Sequence, residues 1–134
     1  MPPKLELVRE WLRLARADLD SARHLFHRDP PLLETACFHA QQTVEKALKA
    51  VLLPNEQRPP RSHNLEDLIG LCHRWMPGLA SFEESCAWLT ACAVRMRYPD
   101  NAPAVTRQLT EEALQTAEAV LQHVLNQSPS DAAP

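Results

Sequence analysis

Glycine is nearly missing from this chain: two residues in 134, against twelve prolines. Tight hairpins and left-handed turns draw on glycine, so its scarcity argues against a β-rich fold. The abundance of Ala, Leu, Glu, Gln and Arg argues for helices. Aromatic residues are also few, at 5%, with a single tyrosine. No apolar run approaches the roughly 20 residues that a membrane-spanning helix needs. The opening residues, MPPKLE, hold no apolar signal core, so the expectations are a cytoplasmic location and no membrane. There is no CxxC pair. The four cysteines, Cys37, Cys72, Cys86 and Cys92, fall among alanines and leucines at helical spacing and read as buried free thiols. His24, His27, Cys37 and His39 lie close in sequence but fit no zinc spacing, so neither a metal nor another cofactor is expected.

A strong net charge is absent too. The overall value is −3, but residues 1–62 carry ten Lys/Arg against eight Asp/Glu, or +2, and residues 63–134 carry four against nine, or −5. That balance excludes a uniformly basic nucleic-acid binder and leaves room for a local basic surface.

What is present is helical periodicity punctuated by proline. The length fits one domain, read as residues 1–126 with a frayed tail at 127–134. Leu5, Val8, Leu12, Ala15, Leu19, Ala22 and Phe26 recur at spacings of three and four, a stripe on a helix from about Lys4 to His27. Trp11 and Leu25 flank and widen it. Asp29-Pro30-Pro31 offers a cap and an opening turn for a second helix, which buries Leu33, Cys37, Ala40, Val44, Ala47, Leu48 and Val51 and ends near Leu53. PNEQRPPRSH, residues 54–63, reads as a loop. Asn64 with Glu66 and Asp67 opens a short third helix to about Trp75. Ser81-Phe82-Glu83-Glu84 fits a capping box for a fourth, with Phe82, Cys86, Leu89 and Ala93 inward. A last helix runs from about Ala104 to Asn126 on Leu109, Ala113, Ala117, Val120, Leu121 and Val124. The expected architecture is all-α, an up-and-down helical bundle of four to five helices. The surplus apolar surface on the first helix would suit a homodimer.

Three clusters carry candidate chemistry. On the second helix Gln42, Lys46 and Lys49 stand at i, i+4 and i+7 and share a face, with Gln41 and Glu45 on the adjacent strip. Two ammonium groups and an amide suit phosphate; a solvated face with a Glu45–Lys49 pair explains them as well. In "RPPRSHNLEDL", His63 precedes a helix N-terminus, where backbone N–H groups favour anions, and Arg58 and Arg61 add charge. A loop histidine touching only water or the next helix fits that stretch too. In "RMRYPDNAP", Pro99 ends the fourth helix near Arg97, and Arg95 and Arg97 complement the helix dipole. Asp100 or Asn101 can cap the next helix. A guanidinium beside the phenol of Tyr98 also suits phosphate pairing and base stacking, and the residues alone leave both readings open. Arg9, Arg13, Arg16 and Arg23 share one face of the first helix with Asp20, as a docking stripe or a charged solvent face.

Taken in order, "ARADLDSARHLF", "ACFHAQQTVEKALKAVLL", "SHNLEDLI" and "RYPD" resemble the HEPN family over about residues 5 to 125. The resemblance implies an α-helical bundle, usually dimeric. Small prokaryotic members are often encoded beside a minimal nucleotidyltransferase, some pairs acting as toxin and antitoxin, and other members bind nucleotides or cleave RNA. The family's ribonucleases carry an Arg, four to six residues, then a His near the start of the last helix. After Arg97 this chain has Tyr98, Pro99, Asp100, Asn101, Ala102, Pro103 and Ala104, with no histidine. General acid–base cleavage needs a group titrating near neutrality, and that window offers none. The expectation is therefore a non-catalytic nucleotide- or RNA-binding dimer beside a nucleotidyltransferase. Arg97, Tyr98, Asp100, Arg95, Lys46, Lys49, Gln42 and His63 are its candidate contacts. Tyr98 is the candidate for nucleotidylation, a modification some family pairs carry out. The alternatives are a metal-independent endoribonuclease toxin with a noncanonical base, and a pure protein-interaction module.

Overall fold

The structure, a computed structural model, describes residues 3–55, 61–98, 100, 104–128 and 134. Among them the chain forms five α-helices and no strand: α1 (Pro3–His27), α2 (Leu33–Leu52), α3 (Leu65–Cys72), α4 (Glu83–Arg97) and α5 (Arg107–Gln127). A 3-10 segment, Pro77–Phe82, leads into α4. None of these helices is long and apolar enough to cross a membrane.

The hydrophobic stripes dictate the assembly. Val8, Leu12, Ala15, Leu19, Ala22 and Phe26 of α1 are all buried, as are Cys37, Ala40, Val44, Ala47, Leu48 and Val51 of α2. Ala113, Ala117, Val120, Leu121 and Val124 complete the core from α5. Burying three or four large apolar side chains on each of α1, α2 and α5, at about 1.5–3 kcal/mol each, is what makes these segments helical in context. α2 is the central helix, packing on α1, α3, α4 and α5. α1 runs antiparallel to it, because Trp11 meets Lys49 while Asp18 meets Lys46 and His39. α3 runs parallel to it: Gln41 reaches His63 just ahead of α3, and the Cys72 thiol donates to the Leu48 carbonyl at its end. Arg107 over the Phe26 ring and the Arg23–Glu118 pair, at 4.8 Å and 2.8 Å, tie α5 back to α1.

The helix ends depart from the sequence reading in four places. α2 is not capped by Asp29; it starts at Leu33, with Leu32 at the cap position and no side-chain cap bond. The two prolines delay the helical register, and the Leu32 N–H turns back to the Leu25 carbonyl at 3.0 Å. Ser81 does not form a capping box. Its hydroxyl donates to the Gly78 carbonyl, because α4 continues directly from the 3-10 segment and the Glu83 N–H is already bonded to Ala80. α5 starts at Arg107 rather than Ala104, and Thr106 caps it by accepting from the Leu109 N–H at 3.2 Å. Asp100, expected as a cap, is an exposed residue six positions earlier, and Asn101 lies outside the described residues. α3 also stops at Cys72, three residues short of Trp75, while its expected cap stands: the Asn64 side chain accepts from the Asp67 N–H.

All four cysteines are buried and free. Burial pushes the Cys86 thiol up to about 12, which keeps it protonated and unreactive at neutral pH. The Cys37 thiol, hydrogen-bonded to Cys92 and within 3.5 Å of the Thr110 hydroxyl, is shifted down by its Cys92 neighbour.

Three substitutions test this architecture by urea denaturation. Leu48→Ala, in the fully buried strip of α2, should cost about 2–5 kcal/mol. Thr106→Ala should cost about 1 kcal/mol as a lost cap, whereas Asp100→Ala should stay within about 0.5 kcal/mol.

Candidate functional site

The outer strip of α2 is where the structure gathers half of the predicted residues. It is not a solvated face. α1 covers one flank and the segment ahead of α3 covers the other. Two carboxylates sit in the seams. Asp18, on α1, holds His39 Nδ1 on one oxygen at 2.8 Å and Lys46 Nζ on the other. Glu45, on α2, holds His63 Nδ1 on one oxygen at 3.0 Å and Lys49 Nζ on the other at 3.1 Å. Each carboxylate is thus clamped between one lysine and one histidine. Gln41, fully buried, extends the second clamp: its amide donates to Glu45 at 3.3 Å and to the His63 carbonyl at 3.2 Å. Gln42 donates to the Gln41 oxygen at 2.7 Å. The Lys49 ammonium also lies 5.8 Å from the centre of the Trp11 ring.

Burial decides what these groups do. The side chains of Glu45 and Lys49 are only 5% and 8% exposed, so their pair is a buried salt bridge and not the surface i, i+4 pair that the spacing suggested. Asp18 is 12% and Lys46 22% exposed. A buried pair contributes little net stability, since desolvation offsets most of the attraction, but losing one partner leaves an uncompensated charge. Lys46 and Lys49 are therefore committed to cross-linking α1, α2 and the α3 approach. A phosphate ligand would have to compete with carboxylates already in place.

His63 differs. Its side chain is 58% exposed although its Nδ1 is engaged, and it stands immediately before the Asn64 cap of α3. α4 is pinned at the same level, where the Leu65 N–H donates to the Thr90 hydroxyl at 3.2 Å. From Thr90, α4 carries the chain about 12 Å further to Tyr98, taking 1.5 Å per residue. Tyr98 is 58% exposed and closes the helix through its N–H to the Val94 carbonyl at 2.8 Å. Asp100 is exposed beyond it. The backbones of Arg95 and Arg97 lie in the last turns of α4; their side chains, and all of Arg58, lie outside the described residues. The structure thus brings these residues into a polar network of two adjacent clamps, Gln42, Lys49 and His63 around Glu45 and Lys46 on Asp18, and leaves Tyr98 and Asp100 at a separate corner.

Asp18, His39 and Trp11 were missed as partners of that network. A signal existed: Asp18 falls seven residues after Trp11, on the flank of the α1 stripe, where a charge needs a counterion once the helix packs. On the arginine face of α1, Arg13 pairs with Glu10 and Arg23 with Asp20 and Glu118. A separate cavity of about 550 Å³ opens at the bundle end, lined in part by Leu5, Val8, Val51, Trp75 and Met76. No residue of the polar network lines it. No cluster of metal-ligand type occurs among the described residues.

A family model and one solved structure name the same family. The HEPN domain model matches residues 8–127. TT1696 from Thermus thermophilus is 30% identical, with a TM-score of 0.79 over 90% of this chain and 98% of that one. ST0689, described as an archaeal HEPN homologue, is 26% identical, with a TM-score of 0.71 over 90% and 96%. No curated protein matches the chain.

The clamp makes a sharp prediction for stability. Glu45→Ala should cost about 3–5 kcal/mol in urea denaturation, because it leaves Lys49 buried and unpaired. Replacing both, Glu45→Leu with Lys49→Met, should restore much of that loss.

Proposed function

The chain belongs to the HEPN domain family, and from that premise we propose that it is a non-catalytic nucleotide- or RNA-binding protein. In this reading it works as a homodimer with a minimal nucleotidyltransferase partner, as one half of a toxin–antitoxin pair. The observation that carries the binding site is Tyr98: a 58% exposed phenol directly after Arg97, at the end of α4. An exposed aromatic ring with guanidinium groups in the preceding turn suits base stacking and phosphate pairing. Stacking on such a ring contributes about 1–3 kcal/mol per base.

The proposed division of labour follows from sequence position for the arginines and from burial for the rest. Arg97 and Arg95 supply phosphate contacts, Tyr98 stacks, and Asp100 accepts hydrogen bonds from a base or ribose. Gln42 and His63 border the α2 strip. Lys46 and Lys49 hold the frame instead of reaching the ligand. Binding rather than cutting is favoured because the Arg-to-His spacing of the family's ribonucleases has no histidine after Arg97. Tyr98 is the one tyrosine of the chain, so a nucleotidylated form would carry its added mass there.

Isothermal titration with nucleoside triphosphates and short single-stranded RNA tests the reading. Tyr98→Ala should weaken binding by about 1–3 kcal/mol, roughly 5- to 150-fold, and Arg97→Ala by a similar factor. No binding at millimolar ligand, with and without the nucleotidyltransferase, would overturn it.

A further inference from the structure

Six histidines occur in the sequence, and their surroundings separate them. His24, His27 and His73 are exposed. His123 is half-buried with its ring 5.9 Å from that of Phe82. Only His39 and His63 have a carboxylate on Nδ1 among the described residues, and of these His63 is the open one, 58% exposed against 31%.

The hydrogen bonds around Glu45 determine which nitrogen of His63 is free. Lys49 Nζ and Gln41 Nε2 both donate to the Glu45 side chain, which is therefore an acceptor-only carboxylate. His63 Nδ1, 3.0 Å from the same group, must then carry the ring proton. In the neutral ring Nε2 then holds the lone pair, and no described residue bonds to it. The loop cannot easily rotate the ring away. Gln41 holds the His63 carbonyl, and on the next residue the Asn64 N–H donates to the Ser62 hydroxyl at 3.1 Å while its side chain caps α3. A lone loop histidine needs none of this support. A nucleophile does, because a carboxylate on the far nitrogen fixes the tautomer and raises the basicity of the near one.

We propose that His63 is a phosphoryl-acceptor residue that forms a phosphoramidate at Nε2 with an activated phosphoryl donor, such as an acyl phosphate, a phosphoramidate or a nucleoside triphosphate. The Nε2 lone pair attacks phosphorus. The N–P bond forms as the bond from phosphorus to the leaving group breaks, and the leaving group departs with that electron pair. No proton has to leave Nε2. The ring becomes a cation with its Nδ1–H still on Glu45, whose negative charge offsets it. Hydrolysis, or transfer to a second acceptor, returns the neutral ring. The proposal goes beyond ligand binding at Tyr98 and does not depend on it.

The direct test treats the full chain with potassium phosphoramidate, which phosphorylates accessible imidazoles without an enzyme, and maps the products by mass spectrometry. His63 should be modified about 10- to 100-fold faster than His24, His27 or His73, with phosphorus on Nε2. Glu45→Gln should remove that advantage and leave the other three rates unchanged. Because Glu45→Gln can also disturb folding, the wild-type protein gives a second readout: long-range ¹⁵N–¹H spectra should show His63 as the Nδ1–H tautomer. Equal rates at His63 and the exposed histidines, or an Nε2–H tautomer at His63, would overturn the proposal.

Discussion

Two buried carboxylates set the terms for the rest of this molecule. Asp18 and Glu45 each hold a lysine on one oxygen and a histidine on the other, and together they fasten the outer strip of α2 to its neighbours. α2 is already the helix against which α1, α3, α4 and α5 pack through apolar contacts. Hydrophobic burial is non-directional and tolerates sliding; paired charges in a desolvated seam do not. The two clamps therefore fix the register of α1 along α2 and the approach to α3. Through the Leu65–Thr90 bond they also set the level of α4.

That constraint reshapes the functional surface. Cations that look available on a helical wheel are consumed inside the fold, so the basic character of residues 1–62 overstates what a ligand meets. What remains open are groups held at the margin of the network: the His63 imidazole, positioned through Glu45, and the Tyr98 corner at the end of α4. The two are separated by about two turns of α4, so the proposed stacking corner and the proposed phosphoryl acceptor are distinct places on the chain.

Much of the fold was legible because long amphipathic stripes leave few alternatives. The α1, α2 and α5 positions expected inside are nearly all buried, and α4 ends where Pro99 predicted. The errors concentrate at helix starts, where local hydrogen bonding outranks residue preference. Ser81 lost its cap role to a 3-10 segment that already satisfied the first amides, and Thr106 took the role expected of Asp100. The site was harder to read. Spacing identified Gln42, Lys46 and Lys49 as co-facial, but co-facial residues look alike whether the face is wet or sealed. Which it is depends on Asp18 and His63, distant in sequence and brought in only by packing. The HEPN resemblance supplied the fold and pointed to the Arg97–Tyr98 corner as a candidate; it carried no information about the clamps.

The claim that the α2 lysines are structural and that ligand binding falls at the open groups can be tested residue by residue. ¹⁵N-labelled protein titrated with a nucleoside triphosphate or a short RNA reports which backbone amides feel the ligand. The largest shifts should fall at Val94, Tyr98, Asp100 and His63, with Lys46 and Lys49 nearly unmoved. Shifts centred on Asp18, Lys46 and Lys49 would contradict it, and would mean that a ligand displaces the carboxylates from their lysines.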